Sequence, residues 1–324
     1  MARQFNVEQA QRIKVYPKIG IFSPSGGGKT FTSLRLATGM KQEVETNLKR
    51  KCEIWLANNE GSRGKYYANE FNYKITELEP PHEPEMYYDL IAYAEEYSKE
   101  KNVYVILIID SLSKEWAGTG GCLDIVTKIG GTFQTGWKNV SPRHRRLMDL
   151  LVDSNLTIIA TMRGEDQYLV ETDANGKTHP VKLGVGAKQG KDFEYEFTCT
   201  FSLDQKTNCA ESFKDNTHLF ENKPTMKLTE QDGINLIKWA NTSDIEPVKK
   251  PKVEETEDDP LINAKAKIKG LVDSLKDTGI DRNLISEAIK KHNIINDKPV
   301  ENFNKVTDIK VARAIYKELE TLAK

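Results

Sequence analysis

Lys29 and Thr30 stand directly after Ser25, Gly26, Gly27 and Gly28. A lysine and a hydroxyl behind a run of glycines are the groups that handle a polyphosphate and its metal. The glycines let consecutive backbone N–H groups turn towards an anion, and a helix starting there adds its dipole. Lys29 then carries positive charge to the β- and γ-phosphates, and the Thr30 hydroxyl offers a place on Mg²⁺. The pattern G-x-x-x-x-G-K-[ST] places a glycine at 23. Ser23 stands there instead, and glycines 26 to 28 are expected to supply the backbone freedom. The bland alternative is a chance glycine-rich turn before a helix.

The surrounding elements decide between these. Ile19 to Phe22 is a short apolar run that predicts a buried strand. Phe31 to Met40 predicts a helix. Strand, glycine loop and helix in that order make a phosphate-binding loop. Further apolar runs predict strands at Cys52–Asn58, Val103–Asp110 and Leu156–Ala160. In an open α/β sheet the ligand lies beyond the carboxyl ends of the strands. Asp110 would project there as the carboxylate on the metal side. The next residue is Ser111, so the Asp-Glu pair of many ATPases is absent. Glu60, after the Cys52–Asn58 strand, is then the candidate to orient or deprotonate an attacking water; a surface acid in a turn is the alternative. Thr161 and Arg163, after the Leu156–Ala160 strand, could sense the γ-phosphate; for Arg163 the alternative is an exposed loop arginine.

The rest of the chain supports this frame. Weaker signals predict a strand near Tyr73–Leu78 and a helix from Pro84 to Lys101. Residues 116 to 137 are glycine-rich and are expected to be mobile over part of their length. Ser141 reads as a helix cap with Pro142 at the first position, the helix running to Asp153. Asp173-Ala174-Asn175-Gly176 signals a hairpin turn within Tyr168–Lys182. Glu194–Leu203 and His218–Leu228 read as strands, and Thr229 as the cap of a helix. The predicted fold class is therefore α/β, a phosphate-loop core with a mainly parallel sheet over residues 1–243. Residues 244–260 form an acidic linker too polar to fold alone. Residues 261–324 have helical spacing and predict a small helical domain; the alternative there is a disordered tail with transient helices.

Composition bounds the function. The chain has 324 residues, 38% hydrophobic and 29% charged, with a net charge of −1. Nothing drives the whole protein towards nucleic acid, so such binding must come from local patches. No apolar run approaches the roughly 20 residues that cross a bilayer, and the first residues lack a signal-peptide core. Cys52, Cys122, Cys199 and Cys209 are scattered and read as reduced thiols, with neither disulfide nor zinc spacing. A cytoplasmic location without membrane partners is expected. Lys128, Lys138, Arg143, Arg145 and Arg146 cluster near Phe133 and Trp137, a combination that suits single-stranded nucleic acid. A solvated helix face over core aromatics fits them equally.

Several segments together resemble RecA-like ATPases, above all the phage-type recombination ATPases that assist single-strand annealing. They are Ser25–Thr30, Trp55–Gly61, Ile108–Trp116, Ile159–Arg163 and Phe193–Phe197, within residues 15 to 205. The resemblance implies a RecA-like core, ATP and Mg²⁺ as cofactors, Glu60 as catalytic base and Thr161 as γ-phosphate sensor. It implies contacts with single-stranded DNA from loops 117–140 and 164–190, a single-strand-binding or annealing protein as partner, and assembly into a ring or filament. In such assemblies Lys188 or Lys191 would reach the neighbouring subunit's nucleotide. Ser23 and the long hairpin depart from the pattern. Two functions follow: an ATP-hydrolysing recombination or repair protein, or an interaction protein in which ATP is a conformational ligand and the C-terminal helices recruit a partner.

Overall fold

The computed structural model describes residues 7–130, 132–172, 178–190 and 193–247, then 267–272, 274–275, 280–295, 298–299, 302–303, 306 and 309–322. The chain divides into two compact units, Met1–Pro247 and Val248–Lys324.

The first unit is built on β1 (Lys18–Ser23), buried at every position. Buried apolar residues on both faces suit a strand covered by helices on both sides. β1 lies parallel between β5 (Thr157–Thr172) and β7 (Cys199–Leu203). β4 (Tyr104–Asp110), β2 (Cys52–Asn58) and β3 (Lys74–Glu77) continue the sheet in parallel beyond β5. β8 (Ala210–Asp215) closes the other edge antiparallel to β7. The order is β3-β2-β4-β5-β1-β7-β8, with β6 (Thr178–Ala187) paired to the far part of β5.

Alternate strand residues feed two cores. Ile19, Ile21, Ile106 and Ile108 face α1 (Lys29–Thr46) and α6 (Glu230–Ala240). Phe22, Leu107, Ile109 and Met162 face α2 (Pro84–Glu100) and α5 (Phe133–Asp153). α1 and α6 approach so closely that a methyl on Gly39 would sit 1.8 Å from the Glu230 carbonyl oxygen.

The glycine-rich stretch holds α3 (Ser113–Ala117) and α4 (Cys122–Ile129). Three local expectations change. α5 starts at Phe133, eight residues before Ser141, and Pro142 lies inside it. Thr132 caps this earlier start by accepting from Thr135 N–H, and Gly136 and Val140 are buried beneath it, Gly136 against Val126. Packing therefore outweighs the Ser-Pro signal. The strand expected from Glu194 begins at Cys199, after a 3₁₀ turn at Phe193–Glu196. No strand covers residues 218–228; β8 lies earlier, and Met226 makes only an isolated bridge to Ala210. β5 and β6 form the expected hairpin, whose turn at 173–176 lies outside the described residues.

The first unit extends past Ser243. Lys14 N–H donates to the Ile245 carbonyl, and Glu246 pairs with Lys14 and Tyr16. The second unit has its own core, in which Ile268 and Leu275 pack with α7 (Arg282–His292) and α8 (Ile309–Leu322) through Ile285, Ile289, Ile315 and Leu319. Asp281 caps α7 through Asn283 N–H, and β9 (Ile294–Ile295) pairs with β10 (Lys298–Pro299).

Candidate nucleotide site

The glycine loop joins β1 to α1. Gly26 and Gly28 have φ of +83° and +79°, values that L side chains rarely adopt. Gly27 is required for a different reason. A methyl there would lie 2.4 Å from Ser23 Oγ and 2.7 Å from Ser23 Cβ. The side chain at 23 therefore places a steric demand on position 27, which glycine meets. Ser23 is fully buried and accepts from Lys29.

Lys29 Nζ donates to the carbonyls of Ser23 and Pro24 at 3.0 and 3.1 Å and to Ser23 Oγ at 3.2 Å. Burial lowers its pKa from the ordinary lysine value; the charges of Asp110 and Glu60 oppose this, and Arg163 adds to it. Asp110 ends β4. Its two oxygens accept from Thr30 and Thr161, each at 2.5 Å. Burial pushes its carboxyl up, the two threonine hydrogen bonds pull it down, and Glu60 adds to the rise. Parallel register brings this about: β5 lies between β1 and β4, so Asp110 at the end of β4 stands beside Thr161 in β5 and near the start of α1 after β1.

Glu60 follows β2 at the start of a 3₁₀ turn, Gly61–Lys65. Its carboxylate lies 2.8 Å from Arg163 Nη2 and 3.5 Å from the Ser111 hydroxyl. Lys29, Thr30, Asp110, Glu60, Thr161 and Arg163 thus stand together at the carboxyl end of the sheet. Ser25 sits in the loop itself, where its carbonyl accepts from Gln205.

Asn58 and Asn59, within the Trp55–Gly61 segment, and two residues from the far end of the sheet support these groups. Asn59 donates to the Tyr87 hydroxyl and the Ser111 carbonyl and accepts from Ser111 N–H. It fixes the Glu60 turn to the end of β4. Asn58 Oδ1 accepts from Glu60 N–H. Gln205 and Asn208, on the β7–β8 turn, reach the glycine loop, Asn208 lying 3.2 Å from a methyl built on Gly28. Asparagine and glutamine give no pattern of their own, and these contacts span up to 180 residues.

Further residues meet away from this edge. Glu115, Cys122 and His144 gather in a buried cluster that could offer three ligands to a metal ion. Each already has a protein partner. Glu115 accepts from the Cys122 thiol, its Oε1 lies 2.9 Å from His144 Nδ1, and Gln189 donates to its other oxygen. The cluster ties α3, α4 and α5 to the end of β6. Of the basic residues near Phe133 and Trp137, Arg143 pairs with Glu85 at 2.5 Å, Arg146 covers the Tyr88 ring and Lys128 pairs with Asp124. Lys138 and Arg145 are exposed. Trp137 stands between Trp116 and the exposed Phe133. Lys188 lies 3.6 Å from Glu165, and Lys191 is outside the described residues.

The model of the AAA domain family AAA_24 matches residues 16–235. The chain belongs to this family. The matched stretch starts two residues before β1 and ends within α6, so it contains the whole parallel sheet and every residue of the site. No curated protein matches the chain. An AAA domain is a phosphate-loop nucleotide-binding ATPase domain, and the groups present fit a nucleotide with Mg²⁺. Lys29 is a half-buried cation whose hydrogen-bond partners are carbonyls and a hydroxyl, partners that phosphate oxygens replace. Thr30 and Asp110 offer oxygens to a hard cation. No described helix is long and apolar enough to cross a membrane.

Proposed function

We propose that this AAA domain hydrolyses ATP with Mg²⁺ and works on single-stranded DNA in recombination or repair. The observation that carries hydrolysis is the joint position of Asp110 and Glu60. One carboxylate is fixed by Thr30 and Thr161 on the metal side, and the second stands nearby in the turn after β2, paired with Arg163. Bound Mg²⁺ supplies charge stabilisation at the transferring phosphoryl group. Lys29 and the loop N–H groups hold the phosphates, Thr30 and Asp110 hold the metal, and Glu60 orients the water and accepts its proton. Thr161 and Arg163 lie next to both carboxylates and respond to the terminal phosphate.

The DNA part rests on the resemblance to annealing-associated ATPases. It is supported by the position of α3, α4 and the β5–β6 hairpin, which leave the sheet at the edge where the nucleotide site lies. A ring or filament of identical chains, with a lysine at 188 or 191 serving a neighbour, and an annealing or single-strand-binding partner belong to the same reading. The second reading keeps ATP as a conformational ligand. It is favoured by the Arg163–Glu60 ion pair, which holds the candidate base away from free use, and by the separate core of the second unit.

Steady-state ATP turnover with and without single-stranded DNA separates the two. The first reading expects Mg²⁺-dependent turnover that rises with DNA and is abolished in Glu60→Gln, with nucleotide affinity retained. Nucleotide binding without turnover under either condition leaves the second reading.

A further inference from the structure

A cavity of about 300 Å³ opens beside the nucleotide site. Its lining includes Lys114, Arg163 and Lys188, with His82, Ser113 and the small residues Ala117 and Gly118. No described residue of the glycine loop lines it, and it shares Arg163 with the nucleotide site. At roughly 30 Å³ per liquid water, it has room for a phosphate group and several waters.

The wall is built rather than accidental. Ser113 Oγ accepts from Arg163 N–H at 2.9 Å and donates to the Lys188 carbonyl at 2.7 Å, while Lys188 N–H donates to the Arg163 carbonyl at 2.6 Å. These bonds fix the backbones that carry two of the cations. Lys114 donates to the Asn59 carbonyl and makes no ion pair among the described residues. Three cationic side chains on one concave wall suit a phosphate oxyanion, which would compete with Glu60 for Arg163 and with Glu165 for Lys188.

We propose that this cavity binds a phosphate oxyanion, and that the bound anion draws Arg163 away from Glu60. The Arg163 guanidinium, half exposed, now faces the Glu60 carboxylate at 2.8 Å. An anion in the cavity competes for that guanidinium. Glu60 then loses its partner and is released for the water. The release of Glu60 rests on its hydrolytic role proposed above; the anion site does not. The oxyanion comes either from free phosphate or from the phosphodiester of a nucleic-acid strand.

The test uses the full chain saturated with Mg²⁺-ADP, so that the glycine loop is filled. Orthophosphate and a short oligothymidylate are titrated separately by calorimetry into wild type and into a Lys114→Met variant. Wild type is expected to bind at least one probe, and the variant to bind it tenfold or more weakly with ADP affinity within twofold. Binding of orthophosphate assigns the free anion, and binding of the oligonucleotide alone assigns the phosphodiester. Failure of both probes to bind wild type, or equal binding by the variant, overturns the site. The bound probe should also raise ATP turnover of wild type at least threefold and leave the variant unmoved. A wild type that binds the probe but never turns over ATP overturns the coupling and the hydrolytic reading, and leaves the site standing.

Discussion

Thr30 and Asp110, eighty residues apart in the chain, meet at 2.5 Å across the carboxyl end of the sheet, and Thr161 closes on the other Asp110 oxygen at the same distance. One carboxylate therefore locks three elements together: the start of α1, the end of β4 and the first part of β5. Asp110→Asn keeps the shape and loses the charge. Its expected signature is a nucleotide affinity that no longer depends on Mg²⁺, with turnover lost. Titration of ATP in Mg²⁺ and in EDTA checks it; an unchanged Mg²⁺ dependence would remove Asp110 from the metal site.

Lys29→Ala removes the cation aimed at the phosphates. A charge-assisted hydrogen bond contributes about 1.5–3 kcal/mol, so ADP affinity should fall roughly ten- to hundredfold or more. Fluorescent-nucleotide titration measures it, with the thermal midpoint as a folding control.

Ser23 and Gly27 form a testable pair. Gly27→Ala pushes a methyl into Ser23 and should abolish nucleotide binding or lower stability by about 1–3 kcal/mol, the usual cost of overpacking. In the Ser23→Gly background that contact is gone, and the same substitution should be tolerated. A double-mutant cycle reads the coupling. Additive effects would show that Gly27 answers to something other than Ser23.

Lys18 predicts a pH dependence. Its ammonium is buried and donates to the carbonyls of Tyr16, Ser154 and Leu156. Burial lowers its pKa from 10.5 to about 7, opposed by Glu95 and Asp153. Between these values the unfolded chain binds more protons than the folded one, so stability rises with pH across that window. The change amounts to a few kcal/mol at most. Urea unfolding at pH 7 and pH 9 should show wild type gaining on Lys18→Met, which lacks the proton. A constant difference would mean that Lys18 keeps its ordinary pKa in the fold.

Among the described residues, the cores of the two units share no residue. A chain ending at Pro247 should unfold cooperatively and bind ADP within twofold of the full chain. Ending it at Ser243 removes the partners of Lys14 and Tyr16 and should cost about 1 kcal/mol more, a typical value for an exposed ion pair. Calorimetric melting of both truncated chains decides it.

Local order alone determined much of this protein. Period and composition located β1, β2 and β4, because a strand buried on both faces must be apolar along its whole length. The glycines, Lys29 and Thr30 announced the phosphate loop, because the backbone conformation and the charge it needs are written in adjacent residues. Glu60, Asp110, Thr161 and Arg163 were legible as the polar ends of apolar runs. The tertiary structure decided what those ends do to one another. The Arg163–Glu60 pair, the bridge from Thr30 through Asp110 to Thr161, and the contact of Gly27 with Ser23 depend on register between strands that lie far apart in sequence. The same holds where local signals misled. Ser141-Pro142 has the residues of a helix start, yet burial of Gly136 and Val140 extends α5 back to Phe133. A cap contributes about 1 kcal/mol, and the packing of a whole turn against α4 outweighs it.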